Sequence, residues 1–354
     1  MGAGPNGPSG EVQTVLGPVK PATLGITHTH EHLLCDQGCY FAVPDEASER
    51  GWIDAEFTLD RRGTALSKFA QFPDNYQLLD EKVAIEEALR FKHAGGGTLV
   101  DVTSRGIGRD PLALTRVSRA TGLNVIMGGG YYIPLSHPPG FDAVSEEEVF
   151  EEIVRDITEG VKDTGVKTGV IGELGNLWPP SDDEAKVLRA AARAQAVTGA
   201  PILIHPGFHR DSPAHIMGVL LDAGADPGQV IMGHLDFIQE IETIEWLAGT
   251  GCYMEWDIFG FEDTNLAAGV GPPIVVPNDA QRIDRIERVF ELGRGDRVLV
   301  GHDVCMKFHY ASYGGKSYDH FLSNIRPRMK RRGFNDADVL RILVDNPARA
   351  LTFS

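Results

Sequence analysis

Gly25-Ile-Thr-His-Thr-His-Glu-His32 is the stretch on which the reading of the fold turns. His30 and His32 are two residues apart, and in an extended backbone side chains at that spacing leave the same face. Two imidazoles side by side at a strand end can grip one divalent ion through neutral ring nitrogens. His28 has the same parity and is expected one layer deeper on that face. The apolar lead-in, residues 22–26, and Leu33-Leu34 fit a buried strand running into a loop. A strand end rich in satisfied core histidines fits equally well, and further ligands at the ends of later strands must decide.

The surrounding chain sets the bounds. It has 354 residues, 42% hydrophobic and 23% charged, ordinary values for a globular protein with a sizeable core. A formal net charge of −17 speaks against nucleic acid or an anionic membrane as partner. No apolar run is long enough to span a bilayer. Residues 1–10 lack a basic and an apolar segment, so they read as a flexible tail rather than a secretory signal. Cys35, Cys39, Cys252 and Cys305 form no CxxC pair, which points to reduced thiols and a cytoplasmic location. Cys35 and Cys39 have no second pair at zinc-finger spacing, so free thiols are favoured over a metal site.

Downstream, residues 36–74 keep no sustained period and contain Gly38, Pro44, Gly51, Gly63 and Pro73. A segment this long is expected to be functional, covering a site as a lid. After it a regular beat begins. Apolar strands are expected at 24–30, 98–103, 124–128, 168–173, 201–205, 229–234, 252–256 and 297–303. Helices follow at 76–93, 111–120, 145–160, 181–198, 215–223, 237–247, 279–292 and 336–351. Ser145 and Ser181 are N-cap candidates followed by acidic residues, and Gly122 and Gly199 are stops. Continuous apolar strands alternating with helices give an α/β (β/α)8 TIM barrel over residues 11–354, with a long insertion at about 36–74 after strand one. A doubly wound sheet would want a Gly-rich phosphate turn where this chain has histidines.

Polar residues close these strands: His30 and His32 on the first, Glu173 on the fourth, His205 on the fifth, His234 on the sixth, Asp303 on the eighth. In a barrel such ends converge on one mouth. Parity pairs Ile171 with Glu173, Leu203 with His205, Met232 with His234 and Leu299 with Asp303 as inward-pointing. Four imidazoles and two carboxylates exceed one open tetrahedral site and suit two divalent ions sharing a carboxylate and a hydroxide.

With these residues placed, His30-Glu31-His32, Asp101-Val-Thr, Gly-Ile-Gly-Arg-Asp at 106–110, Gly172-Glu173, Thr198-Gly-Ala-Pro-Ile, Gly233-His234, Gly301-His-Asp303, Tyr313-Gly-Gly and Asn346-Pro-Ala-Arg-Ala resemble, in order and from about Val12 onward, the phosphotriesterase family of the amidohydrolase superfamily. The resemblance implies a binuclear centre, usually zinc. His30, His32 and Asp303 would hold the more buried ion and His205 and His234 the more exposed one, with Glu173 as bridge. The best-known members bridge with a carbamylated lysine. Here Lys167 lies at the wrong end of strand four, and Glu173 matches the related-protein branch, which includes resiniferatoxin-binding-like members.

The implied chemistry is a bridging hydroxide attacking a small molecule polarised by the exposed ion, with Asp303 taking the proton. Asp236 and His302 are expected to orient ligands or relay protons, or else to serve as plain capping or surface groups. Tyr132 is the first candidate for a substrate contact and Tyr131 the second, with packing as the alternative. Trp178 and Trp256 line an apolar pocket or pack the core. Three functions compete: a hydrolase of carboxylic esters, lactones or amides; a true phosphotriesterase; and a ligand-binding barrel without catalysis. A homodimer is consistent with the family.

Overall fold

A computed structural model describes residues 7–67, 71–262, 265–266 and 274–354. Eight parallel strands form one sheet: β1 (Ile26–Glu31), β2 (Gly96–Asp101), β3 (Asn124–Gly129), β4 (Val170–Gly175), β5 (Ile202–His205), β6 (Val230–Met232), β7 (Tyr253–Trp256) and β8 (Val298–Val300). Each pairs with its neighbour in sequence, from β1 to β8 in order. The sheet curls until its ends meet. Asp303 N–H donates to the His30 carbonyl at 3.2 Å, and the Thr29 hydroxyl donates to the Val300 carbonyl at 3.3 Å. The result is the expected (β/α)8 barrel.

The helices are α1 (Glu81–His93), α2 (Pro111–Thr121), α3 (Glu146–Thr158), α4 (Asp182–Thr198), α5 (Ser212–Asp222), α6 (Ile241–Thr250) and α7 (Asp279–Glu291). Ser145 and Ser181 cap α3 and α4, each in a reciprocal box with a glutamate three residues on. The first helix expected at 76–93 starts only at Glu81, because the Asp80 side chain accepts from the Lys82 and Val83 amides. The helix expected at 336–351 is interrupted. A π-helical turn at Arg341–Asp345 separates Asp336–Leu340 from Asn346–Ala350, next to Pro347, which has no amide hydrogen to give. A further helical stretch, Phe321–Ile325 continuing as Arg326–Arg331, was not expected from the sequence.

Two apolar layers result. Val100, Ile126, Val170, Leu203, Ile231, Tyr253 and Leu299 fill the barrel, closed below by Val12 and Leu351. Leu99, Val125, Ile171, Ile202, Met232 and Val298 face the helices. Ile171 and Met232 are therefore corrected to the outer layer. His28 is corrected too: its ring lies 4.5 Å from Phe91 of α1, outside the barrel, after a register shift between His28 and Glu31.

Of the expected tail, residues 1–6 lie outside the described residues, and the Gly10 amide is bonded to the Phe353 carbonyl. The stretch 11–19 is a hairpin, Val12–Thr14 against Gly17–Val19. In the 36–74 segment, short turns and a helix at Arg62–Ser67 sit between Cys35–Asp36 and its antiparallel partner Gln77–Leu78. Tyr40, Phe57, Ala65 and Phe72 of this segment are buried in the same apolar cluster as the barrel's outer layer. Asp74 ties it down, accepting from the Phe57 amide and from Lys307 Nζ, both at 2.6 Å. It is a packed wall of the mouth rather than a detachable flap.

Candidate metal centre

Strand ends bring six side chains around the Glu173 carboxylate. Its Oε1 lies 3.2 Å from His32 Nε2. Its Oε2 lies 3.4 Å from His30 Nε2, 3.3 Å from His205 Nδ1 and 3.5 Å from His234 Nε2. Asp303 Oδ1 stands 3.3 Å from His32 Nε2 and 4.0 Å from His30 Nε2. The Asp303 side chain is 18% exposed while Glu173 is 1% exposed, so the aspartate faces the mouth.

Simple alternation does not produce this convergence. Glu173 turns inward because the β4–β5 register shifts between Ile171 and Leu174, and Gly172 adopts φ +139°. A Cβ on Gly172 would stand 2.1 Å from the Leu203 carbonyl oxygen, so only glycine fits. His234 and Asp303 lie beyond their strands with φ +51° and +47°, left-handed positions that swing both side chains over the barrel axis.

A second layer fixes the imidazoles. His32 Nδ1 meets Thr103 Oγ1 at 2.8 Å, and His234 Nδ1 meets Asp257 Oδ1 at 2.8 Å. His30 Nδ1 lies 3.1 Å from Asp257 Oδ2 and 3.3 Å from Glu255 Oε2. Glu255 and Asp257 were missed from the sequence, although an acidic pair closing strand seven obeys the same strand-end logic as the residues found. Asp236 stands one shell further out: it accepts from the Asp257 amide at 2.9 Å and from buried Arg282 Nε at 2.6 Å. Burial and the charge of Asp257 push its carboxyl up to about 7. His302 does not face the Glu173 cluster. Its Nδ1 donates to Glu31 Oε1 at 2.7 Å and its Nε2 accepts from the Phe321 amide, so it braces β1 against the segment after β8. Burial and the nearby His320 hold it down at about 3.

Tyr132 is brought to the site, its hydroxyl 3.3 Å from His205 Nδ1 and 2.8 Å from the Tyr40 hydroxyl. Tyr131 is turned away, as successive residues leave opposite faces: its hydroxyl donates to Glu152 and accepts from Arg105, each at 2.9 Å. Trp256 is fully buried in the outer layer, and Trp178 stacks on His209 with ring centroids 4.9 Å apart.

The donor set fits two divalent ions. His30 Nε2, His32 Nε2, Glu173 Oε2 and Asp303 Oδ1 are all buried without a hydrogen-bond partner, a cost a protein core rarely bears unless something else occupies the lone pairs. His30, His32 and Glu173 form one ligand-sized group; Glu173, His205 and His234 form another; His30, His234 and Asp303 also cluster. Burial works against charging His30, but Asp257 and Glu173 hold its pKa well above the histidine range. The same opposition leaves His32, beside Asp303 and Glu173, at about 9 and His234, beside Asp257, at about 10. Burial opposes ionisation of Glu173, yet the imidazoles around it hold its carboxyl well below the usual range.

Residues 10–351 match the model of the phosphotriesterase family. The human N-acetyltaurine hydrolase is 41% identical over 349 residues, covering 98% of this chain and 99% of the relative. The Dictyostelium discoideum N-acetyltaurine hydrolase is 37% identical over 364 residues, covering 97% and 98%. A resiniferatoxin-binding protein from Rhodobacter sphaeroides has a crystal structure with a TM-score of 0.92 and 33% identity, covering 97% of this chain and 95% of that one. Enzymes of this family use a binuclear divalent metal centre. The chain belongs to the phosphotriesterase family and is a metal-dependent hydrolase of amide or ester bonds.

Proposed function

We propose that this protein cleaves the amide bond of small N-acyl compounds of the N-acetyltaurine type at two zinc ions. His30, His32 and Asp303 hold one ion, His205 and His234 the other, and Glu173 spans both. The observation that carries this reading is the Glu173 carboxylate, with one oxygen toward His32 and the other toward His30, His205 and His234. When bound, the ion pair acidifies a shared water and polarises the scissile carbonyl. Asp303, exposed to the mouth, receives the proton on its carboxylate and hands it to the departing amine nitrogen. Asp257 keeps His30 and His234 in the tautomers that present Nε2 inward, and Thr103 does so for His32. Tyr132, steadied by Tyr40, offers its hydroxyl to the acyl group.

Residues 11–354 act as one catalytic unit with 36–74 as part of its mouth, in the cytoplasm and as a homodimer; sedimentation equilibrium tests the last point. Among the described residues no helix is long and apolar enough to cross a membrane. The decisive experiment is an acetate-release screen of zinc-loaded protein against N-acetyltaurine, N-acetyl amino acids, lactones and phosphotriesters. N-Acetyltaurine is expected to give the highest kcat/KM. A clear preference for phosphotriesters would overturn the amidase reading in favour of a true phosphotriesterase, and binding without turnover would favour a ligand-binding barrel.

A further inference from the structure

Beside the proposed centre lies a second feature that the hydrolytic chemistry does not use. A cleft of about 350 Å³ opens between the Arg62–Ser67 helix, the turn after β7 and the segment after β8. Arg62 and His309 line it together with Phe261 and Lys316. Among the described residues Arg62 has no acidic partner, and its Nε is buried without a hydrogen bond. Its stem packs on Gly314, where an added Cβ would lie 3.3 Å from Arg62 Cδ. His309 Nδ1 accepts from the Cys305 amide at 3.2 Å, so the neutral ring carries its proton on Nε2. That Nε2 is also buried without a partner.

The other charges in the cleft cancel: Lys316 Nζ is 2.6 Å from Glu262 Oε2. What remains is one free guanidinium and one idle N–H donor in a partly dry recess. Cys305 links the recess to the centre, two residues after Asp303 and within 4.0 Å of His309 Nδ1. Burial, and the charge of Arg62 against the pull of Asp303, leave the His309 imidazole at about 4, so it is a neutral donor at working pH.

Two unsatisfied donors, one of them a permanent cation, are the chemistry of an oxyanion receptor. We propose that Arg62 and His309 bind the anionic end of the substrate, a sulfonate or carboxylate carried on a short spacer from the scissile amide. This rests on the amidase reading, and it makes the cleft the part of the site that selects N-acyl amino sulfonates or N-acyl amino acids over neutral amides.

The test compares kcat/KM of the zinc-loaded enzyme for N-acetyltaurine and for its neutral methyl sulfone analogue, N-[2-(methylsulfonyl)ethyl]acetamide. N-Acetyl-β-alanine, of the same spacer length, separates sulfonate from carboxylate. Ethanesulfonate binding by calorimetry supplies a readout independent of turnover. In Arg62→Ala the preference for the anionic over the neutral amide should fall at least about tenfold, the scale of one charge-assisted hydrogen bond, with ethanesulfonate affinity falling alongside. Arg62→Lys should restore part of both, and His309→Gln should lose less than Arg62→Ala. An unchanged preference and unchanged ethanesulfonate affinity in Arg62→Ala would overturn the proposal while leaving the amidase reading intact. Arg62-dependent binding of ethanesulfonate by a wild-type enzyme that cleaves no amide would keep the receptor and overturn the amidase.

Discussion

A carboxylate on a short stem reaches two ions with its two oxygens, whereas a lysine in that place needs carbon dioxide first. Glu173 already presents an oxygen to each side of the cluster, so bicarbonate during zinc loading should leave the activity unchanged. Glu173→Gln removes the negative charge at the middle of the site. It is expected to lower turnover by at least about a hundredfold and to leave fewer than two ions per chain by metal analysis. A Glu173→Gln protein that keeps both ions and near-normal turnover would rule this bridge out. One shell out, Asp257 faces His30 at 3.1 Å and His234 at 2.8 Å. Asp257→Asn should weaken zinc binding by about 10- to 100-fold, the usual effect of losing such a partner, and zinc-buffered titration reads it directly.

At the scale of elements, the strand ends carry the design. Gly172→Ala should destabilise the fold by about 1–3 kcal/mol, since a Cβ meets the Leu203 carbonyl in a backbone region L-residues avoid. The same change should displace Glu173, so chemical denaturation and zinc affinity should fall together; an unaffected zinc affinity would separate the turn from the site. The beat of strands and helices was legible because each strand is an apolar run ended by a polar residue. The way side chains enter the centre was less legible. Alternation alone sends Ile171 and Met232 inward, whereas Gly172 and His234 break the alternation with positive φ, a backbone state that a pattern of apolar residues does not encode. Asp257 escaped notice for a different reason: it lies just past β7, and its importance shows only in its distances to two histidines on other strands. Phe321–Ile325 escaped because a π-helical turn has a different spacing from the helical period sought.

Across the whole molecule, protons and metal compete for one set of nitrogens. A raised histidine pKa means that the metal-free folded site holds its proton up to that pH. His32 at about 9 and His234 at about 10 are thus charged at neutrality, and zinc must displace them. Affinity should rise with pH toward those values and fall in acid. Calorimetric loading near pH 7.5 in buffers of different ionisation enthalpy should show release of about two protons or more per chain, and heats independent of the buffer would refute it. In the metal-free protein the same shifts add stability that is complete below about pH 6.5 and is lost as pH rises through about 9 to 10, so its melting temperature should decline over that window. One seam deserves a last consequence. The carbonyl of His30 and the amide of Asp303 are joined by a single 3.2 Å hydrogen bond, yet on a ribosome they are made at nearly opposite ends of synthesis. The first two histidines must wait, unclosed, until the eighth strand has emerged. Because such distant pairing is slow to find, the nascent chain passes most of its making as an open sheet, and zinc in the surroundings can act only as a final clasp.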